Sequence, residues 1–278
     1  MNELNLINVK KQVKFTGFGD ALDLQITNRI AKQENEFQLK FKPDFGKDVE
    51  VTAYFRQSNQ GNYFFNRYDM VVQKEGAEEK KQTFYVGRPQ KAEVKGENGQ
   101  IDEVWVNSNF TLKEGFNLLE GRSVQKEFVT KGLDKYTAWA TLDFKNTDKY
   151  GNYEIKKTGD FDLKAKLHAQ PIKELSNETT AKYLEDSLKK GNLQSATYIL
   201  EEKEYPRFLQ ALPQYSTFII YDANMVRQAK PKLEEKSDLP ENKTAKQENK
   251  KEAGAKIKTD GAEGPKPKGR KKKQGQSV

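Results

Sequence analysis

The chain has 278 residues, a net charge of +8 and no cysteine, and His168 is its one histidine. These numbers exclude disulfides, thiolate metal sites, cysteine nucleophiles and every site that needs two imidazoles. No stretch of the sequence is long and apolar enough for a signal peptide or a bilayer span, so we expect a cytoplasmic protein that makes no contact with a membrane.

Residues 1–100 predict an N-terminal α+β module. Asp20 is a candidate N-cap for a helix in which Leu22, Ile26 and Ile30 recur at helical spacing. Residues 87–99 predict a connector, because they are rich in Gly, Lys and Glu. Strands are predicted between these elements, at residues 37–41, 49–55, 63–68, 71–72 and 84–86.

Residues 101–228 predict further α+β structure. Thr111 and Glu114 form a capping-box pattern at the start of a helix, and Gly121 marks its end. A second helix is predicted between Ser176, as its N-cap, and Gly191. Strands are predicted at residues 136–144, 196–200 and 218–221. The sequence therefore predicts an α+β fold built from tandem modules, each with a helix packed on a small antiparallel sheet.

Two pairs of similar strings indicate internal repetition. Residues 53–56 lead to Gly-Asn-Tyr at residues 61–63, as residues 141–145 lead to Gly-Asn-Tyr at residues 151–153. Residues 68–71 are also similar to residues 221–226. Repetition of one ancestral module explains both pairs, and chance similarity among aromatic hairpins is the alternative.

An aromatic run at residues 63–68 is the one candidate binding feature of the first module. On a strand its residues alternate between two faces, Tyr63, Phe65 and Arg67 on one and Phe64, Asn66 and Tyr68 on the other. A core needs only one of these faces, so the other is free to stack on bases. We take the first set as the candidate stacking face; the alternative is a strand that is covered on both sides.

The positive charge of the chain lies almost entirely in residues 229–278. This segment holds 15 Lys and Arg against 8 Asp and Glu, which leaves a balance of +1 for the rest of the chain. Lys, Glu, Gln, Ala, Pro and Gly dominate it without a periodic apolar pattern, which is the composition of a disordered tail. A polycation beside a neutral body usually binds phosphate or another acidic surface.

The basic tract at residues 264–273 is the predicted nucleic-acid contact of this tail. It resembles a degenerate AT-hook, with Lys268 where an arginine is usual. Six phosphate contacts predict a log–log salt slope of about −4 to −5. The alternative is a tail that only keeps the protein in solution. The tract has six cations and no acid: Lys266, Lys268, Arg270, Lys271, Lys272 and Lys273.

No motif in the sequence indicates catalysis, a metal or a cofactor. Gly17 and Gly19 precede a predicted helix, but the third glycine of a dinucleotide fingerprint and the Gly-Lys-Ser/Thr of a P-loop are missing. His168 lies at a predicted helix end, where a solvated or capping histidine is the common case. We therefore predict no catalytic residue, no metal ligand and no cofactor.

Several strings of residues 107–228 resemble an uncharacterised domain family encoded on conjugative and other mobile elements of Bacteroidota. They are residues 112–126 (LKEGFNLLEGRSVQK), 138–145 (AWATLDFK), 151–153 (GNY), 171–175 (PIKEL), 186–197 (DSLKKGNLQSAT) and 220–227 (IYDANMVR). In that family similar modules occur in tandem and sometimes beside a type IA topoisomerase. The family's activity is unassigned, so the resemblance implies a setting and carries over no catalytic residue.

These features together predict a non-enzymatic accessory protein of a mobile element that acts at DNA or in a DNA-processing complex. Its tail would tether it to nucleic acid without reading sequence. The predicted domains are residues 1–100, residues 101–228 and the tail at residues 229–278. The first alternative is a protein–protein adaptor whose tail has no partner. A metal-dependent hydrolase or nuclease is the third hypothesis, which would need Asp and Glu side chains converging in a pocket.

Overall fold

The computed structural model of the chain describes residues 2–46, 48–73, 76, 78–96, 98–159 and 161–228. In these residues helices alternate with several small antiparallel sheets, which confirms the predicted α+β fold. The predicted disordered tail and its basic tract lie outside the described residues.

The first part of the chain is a helical layer followed by a four-stranded antiparallel sheet. The helices are α1 (Glu3–Val13) and α2 (Asp23–Ala31), joined by a π-helical turn at Lys14–Phe18. The sheet is a meander in the order β1 (Glu36–Phe41), β2 (Asp48–Gln57), β3 (Tyr63–Gln73) and β4 (Lys80–Tyr85).

The start of α2 differs from the prediction. Asp20 does not cap the helix, which begins at Asp23 after Leu22 without a side-chain cap. The Asp20 carboxylate instead pairs with Lys14 of the π-helical turn at 3.0 Å. Leu22, like the helical positions Ile26 and Ile30, is buried as the periodicity predicted.

The middle of the chain forms a hairpin, a helix and a three-stranded meander. They are β5 (Gln90–Lys95), β6 (Ile101–Val106), α3 (Leu112–Leu119), β7 (Val124–Val129), β8 (Lys135–Thr147) and β9 (Tyr153–Thr158). The predicted capping box of Thr111 and Glu114 is present at α3. The prediction of a connector is wrong over β5, which is a strand. Its buried Ala92 lies between exposed charged residues, and these charges made the segment resemble a loop.

The last described part repeats the arrangement of helix and meander. It holds α4 (Leu163–His168), α5 (Glu178–Lys189), β10 (Gln194–Leu200), β11 (Lys203–Leu212), β12 (Thr217–Tyr221) and β13 (Arg227–Gln228). Asn177, one residue after the predicted Ser176, caps α5 by accepting from the backbone of Thr179 and Thr180. Strand β11 was not predicted, and it contains Pro206, a residue that is rare inside strands. The strand tolerates this proline because β12 pairs with β11 only from Phe208 onward. On the β12 side, the backbone at Pro206 therefore has no neighbouring strand that would need its missing N–H.

The same type of turn connects three of the helices to the sheets that follow them. The second residue after each of α2, α3 and α5 has a left-handed backbone: Gln33 (φ 56), Gly121 (φ 81) and Gly191 (φ 77). In each case its N–H and the next N–H bond back to the last turn of the helix, as in a Schellman motif. Helix, left-handed exit and antiparallel meander therefore recur three times, which supports the hypothesis of repeated modules.

Of the two pairs of similar strings, one adopts the same structure in both copies and the other does not. Residues 58–62 and 148–152 form the same hairpin turn, with Gly61 (φ 80) and Gly151 (φ 82) in equivalent left-handed positions. The first pair therefore occupies matching places in two modules. The second pair does not, because residues 68–71 lie inside β3 whereas residues 222–226 form a turn after β12.

The described residues pack around two apolar cores. The first joins α1, α2 and the first sheet to α3 and the sheet β7–β9, and the second lies between α4, α5 and the sheet β10–β13. Val72 and Leu112 belong to the same first core, so its side chains lie on both sides of residue 100. The boundary predicted at residue 100 stays a prediction.

A buried amide fastens the exits of α3 and α5 to each other. Asn117 Nδ2 donates to the Lys190 carbonyl at 2.6 Å and to Asn192 Oδ1 at 2.9 Å. Its Oδ1 accepts from the Arg122 guanidinium at 2.6 Å, and Arg122 Nε donates to the Gly191 carbonyl at 2.9 Å. Burial lowers the pKa of Arg122 from its ordinary value. These bonds hold the first and second cores together at one buried point.

Candidate functional site

The structure corrects the predicted stacking face on β3. Tyr63 and Phe65 are only 3% and 1% exposed and belong to the first core. The Phe65 ring stacks on Phe55 with a centroid separation of 5.3 Å. Neither side chain is free to contact a base, so the prediction that Tyr63, Phe65 and Arg67 form one exposed face is wrong. Arg67 lies on the opposite, outer face of the sheet, opposite Tyr54.

A β-bulge at Asn66 causes this rearrangement. Tyr54 of β2 pairs with Arg67, while the next residue, Phe55, pairs with Phe65, so Asn66 is an extra residue in β3. One extra residue reverses the alternation of side chains beyond it. Arg67 therefore shares the outer face with Phe64. Nothing in the local sequence marks the bulge, which only the pairing with β2 defines.

A groove of about 1340 Å³ lies beside this bulge. It exists because β4 pairs with β3 only from Arg67 to Val72 and the chain leaves the sheet after Tyr85. One hydrogen bond, from Val86 N to the Asn66 carbonyl at 2.8 Å, continues the pairing past that point. The edge of β3 thus opens onto a space that α1, residues 85–89 and residues 107–111 enclose.

Two arginines are stacked on aromatic rings in the lining of this groove. The guanidinium carbon of Arg67 lies 4.3 Å from the centroid of the Tyr54 ring, and that of Arg88 lies 5.1 Å from the centroid of Phe64. Among the described residues neither guanidinium forms an ion pair or a side-chain hydrogen bond. Stacking uses the flat face of a guanidinium and leaves its N–H donors at the rim for an acceptor. Both side chains are thus oriented, and the described part of the chain gives neither of them a counter-charge.

A buried carboxylate holds the Tyr54 ring in place. The Tyr54 hydroxyl donates to Asp69 Oδ2 at 3.1 Å, and the Thr83 hydroxyl donates to Asp69 Oδ1 at 2.8 Å. Burial, and next the negative charge of Asp69, raise the pKa of Tyr54, so its hydroxyl remains a donor at neutral pH. Because Arg67 packs on this ring, the same contacts orient its guanidinium.

The wall of the groove that carries Arg88 is fastened by an asparagine. Asn109 Oδ1 accepts from Gly87 N at 2.9 Å, and Asn109 Nδ2 donates to the Gly87 carbonyl at 2.8 Å. This pair of bonds ties residues 85–89 to residues 107–111. Arg88 therefore extends from a braced segment, although it lies outside the regular strands.

The opposite wall is one face of α1, which presents amides and a phenyl ring. Asn5 is occupied by the backbone of β3, since it accepts from Tyr63 N at 2.8 Å and donates to the Tyr63 carbonyl at 3.0 Å. Asn8 and Gln12 follow at helical spacing, and within the described part of the chain their side chains form no hydrogen bond. Phe15, on the π-helical turn, is 76% exposed.

The charge of the groove is positive. Its charged lining residues are Arg56, Arg67, Arg88 and Glu36. Arg56 and Glu36 neutralise each other in an ion pair at 3.1 Å, which leaves the two stacked arginines. An anion that also offers flat rings complements this lining. Sequence reasoning missed Arg88 and Tyr54, since the six lining segments lie apart in the sequence and carry no joint motif.

Of the other candidate residues, those that the structure describes contribute to no site. His168 ends α4 and is exposed. Gly17 (φ 113) and Gly19 (φ 60) form the turn between α1 and α2. Across the described residues, no group of three His, Asp or Glu side chains is arranged to hold a metal ion. Lys266, Lys268, Arg270, Lys271, Lys272 and Lys273 lie outside the described residues.

No protein-family model, no curated protein and no solved structure matches the chain. The resemblance to the mobile-element family of Bacteroidota therefore stays a prediction. In the part of the chain that the structure describes, no helix is both long and apolar enough to cross a membrane.

Proposed function

We propose that the protein is a non-enzymatic accessory of a mobile element that binds nucleic acid, with the groove as the contact surface of its folded part. The observation that supports this most is the pair of arginines over Tyr54 and Phe64 in one groove, Arg67 and Arg88, which have no ion pair among the described residues. Planar cations of this kind suit phosphate oxygens, and rings beside them suit bases.

The Lys-rich tail would act as a tether for this surface. Two phosphate contacts at the groove predict a salt slope of only about −1.4 on a single strand, whereas the six cations of the tract predict about −4 to −5. A weak site gains occupancy when a linked second contact raises its local concentration. In this proposal the tail attracts any nucleic acid electrostatically, and the groove forms the ordered contact with it.

Fluorescence anisotropy against labelled DNA across a salt series tests this function. The full chain is compared with an Arg67→Gln/Arg88→Gln variant and with a tract variant, in which the six cations of residues 264–273 are glutamine. We expect the tract variant to lose most of the salt slope. The arginine variant should lose affinity and about 1.4 units of slope.

Lys164→Gln/Lys182→Gln serves as the matched control, since both lysines are exposed, on α4 and α5, and neither lines the groove. It removes two positive charges without touching Arg67, Arg88 or the rings beneath them. If the arginine variant binds DNA no more weakly than this control, the groove is not the binding surface. If the full chain does not bind DNA at all, the proposed function is wrong and the adaptor hypothesis takes its place.

A further inference from the structure

We infer that the groove takes unpaired bases, so that the folded part of the protein selects single-stranded over double-stranded DNA. This inference rests on the proposed function and adds the kind of ligand to it. It follows from three properties of the groove: its exposed rings, the recessed position of Arg67 and its small charge.

The exposed rings need a base with a free face. Tyr85 is 66% exposed and Phe15 is 76% exposed, and both line the groove. In a duplex the faces of the bases are covered by their neighbours, and a protein reaches only the base edges in the grooves. In a single strand each face is open, and successive bases stack on aromatic side chains. An unpaired strand therefore offers these rings an open base face that an undistorted duplex does not.

The position of Arg67 also disfavours a duplex. Proteins that read duplex DNA place a protruding helix or strand ribbon into the major groove. Here Arg67 is half-buried on the face of a sheet, and α1 and two loops enclose the space in front of it. A ligand must enter this recess to reach the guanidinium. A flexible single strand can enter this recess, whereas a duplex is sterically blocked by the walls before it reaches the guanidinium.

The small charge means that stacking must supply most of the affinity. Two uncompensated arginines give a slope of about −1.4, which is a minor electrostatic contribution. Each stacked base contributes a factor of about 5 to 150 in affinity. A ligand without accessible bases would therefore bind the groove weakly even when its phosphates are in place.

The experiment uses the full-length tract variant, so that the tail does not mask the groove. Anisotropy is measured with three probes of about 12 nucleotides, a length within the usual site sizes of single-strand grooves. They are an oligothymidylate, a duplex of equal length and an abasic strand that keeps the phosphates but has no bases. We expect the oligothymidylate to bind at least about tenfold more tightly than the other two.

Tyr85→Ala and Phe15→Ala should each weaken binding of the oligothymidylate about 5- to 150-fold while leaving the salt slope unchanged. The matched controls are Tyr150→Ala and Tyr183→Ala, because these tyrosines are 72% and 68% exposed and lie outside the groove. All four positions are exposed, so these variants should fold.

Equal affinity for the duplex and the oligothymidylate would overturn the inference and leave the proposed function standing, provided Arg67→Gln/Arg88→Gln still weakens both. Equal affinity for the abasic strand would likewise overturn it, since phosphates alone would then account for binding. If the tract variant binds none of the probes while the full chain binds them through its tail alone, both the inference and the groove's part in the function are wrong.

Discussion

Replacing Asn117 with alanine should be one of the costliest single changes in the folded part. The side chain is fully buried and makes three hydrogen bonds, one of them with the charged Arg122. A neutral buried bond contributes about 1 kcal/mol and one to a charged group about 2 kcal/mol. The loss therefore amounts to about 4 kcal/mol, a large share of the roughly 5–15 kcal/mol that stabilises a typical domain.

Urea unfolding followed by circular dichroism measures this cost. The control is Asn59→Ala, at an exposed turn between β2 and β3, which should stay within about 0.5 kcal/mol of wild type. We expect Asn117→Ala to lower the urea midpoint strongly. A cost below about 1 kcal/mol would refute the claim that this amide fastens the two helix exits.

Two further predictions concern the turns and the acid response. Gly191→Ala should cost at least about 1 kcal/mol more than Gly151→Ala in the same urea assay. Both positions have left-handed backbones, but only at Gly191 would a Cβ lie 2.8 Å from the Ser123 carbonyl oxygen; equal costs would contradict this. The Lys156 ammonium hydrogen-bonds to Asp143 and lowers its pKa from 3.8 to about 2. The resulting stabilisation is present above pH 4 and is lost as the pH falls through about 2. Wild type should therefore be more stable than Asp143→Asn at pH 5, with the gap closing at pH 2, and a gap that does not depend on pH would contradict the pairing.

The sequence predicted best those elements whose signals are local. Thr111 and Glu114 identified the start of α3, and Gly121 and Gly191 identified the ends of α3 and α5, because caps and left-handed exits depend on a few adjacent residues. The α+β class followed from these helices and from the alternating strands between them.

Elements with mixed signals were missed. Helix α1 buries only Val9 and Val13, while Leu4 and Ile7 are 71% and 47% exposed, so its apolar pattern does not describe one face. Strand β11 contains Pro206, which argues against a strand unless it is known that no neighbouring strand pairs with β11 on one side at that residue. In both cases the neighbours in space, rather than the residues themselves, decide the structure.

Of the three residues predicted for the candidate stacking face, Arg67 belongs to the groove, whereas Tyr63 and Phe65 are buried in the first core. The run at residues 63–68 does border the groove, yet the bulge at Asn66 buries Tyr63 and Phe65 and turns Arg67 outward. Arg88 joins the site only because the chain leaves the sheet after Tyr85. Such convergence depends on strand pairing between distant segments, which no local pattern contains.

The central claim, that the groove is the nucleic-acid site of the folded part, is tested most directly by photo-crosslinking. The full chain is irradiated with a single-stranded oligonucleotide that contains 5-iodouracil, and the crosslinked peptides are mapped by mass spectrometry. The account predicts crosslinks at the exposed rings of the groove, Tyr85 and Phe15, that weaken in Arg67→Gln/Arg88→Gln. Crosslinks in the folded part that occur only at exposed tyrosines elsewhere, such as Tyr150 and Tyr215, would contradict it.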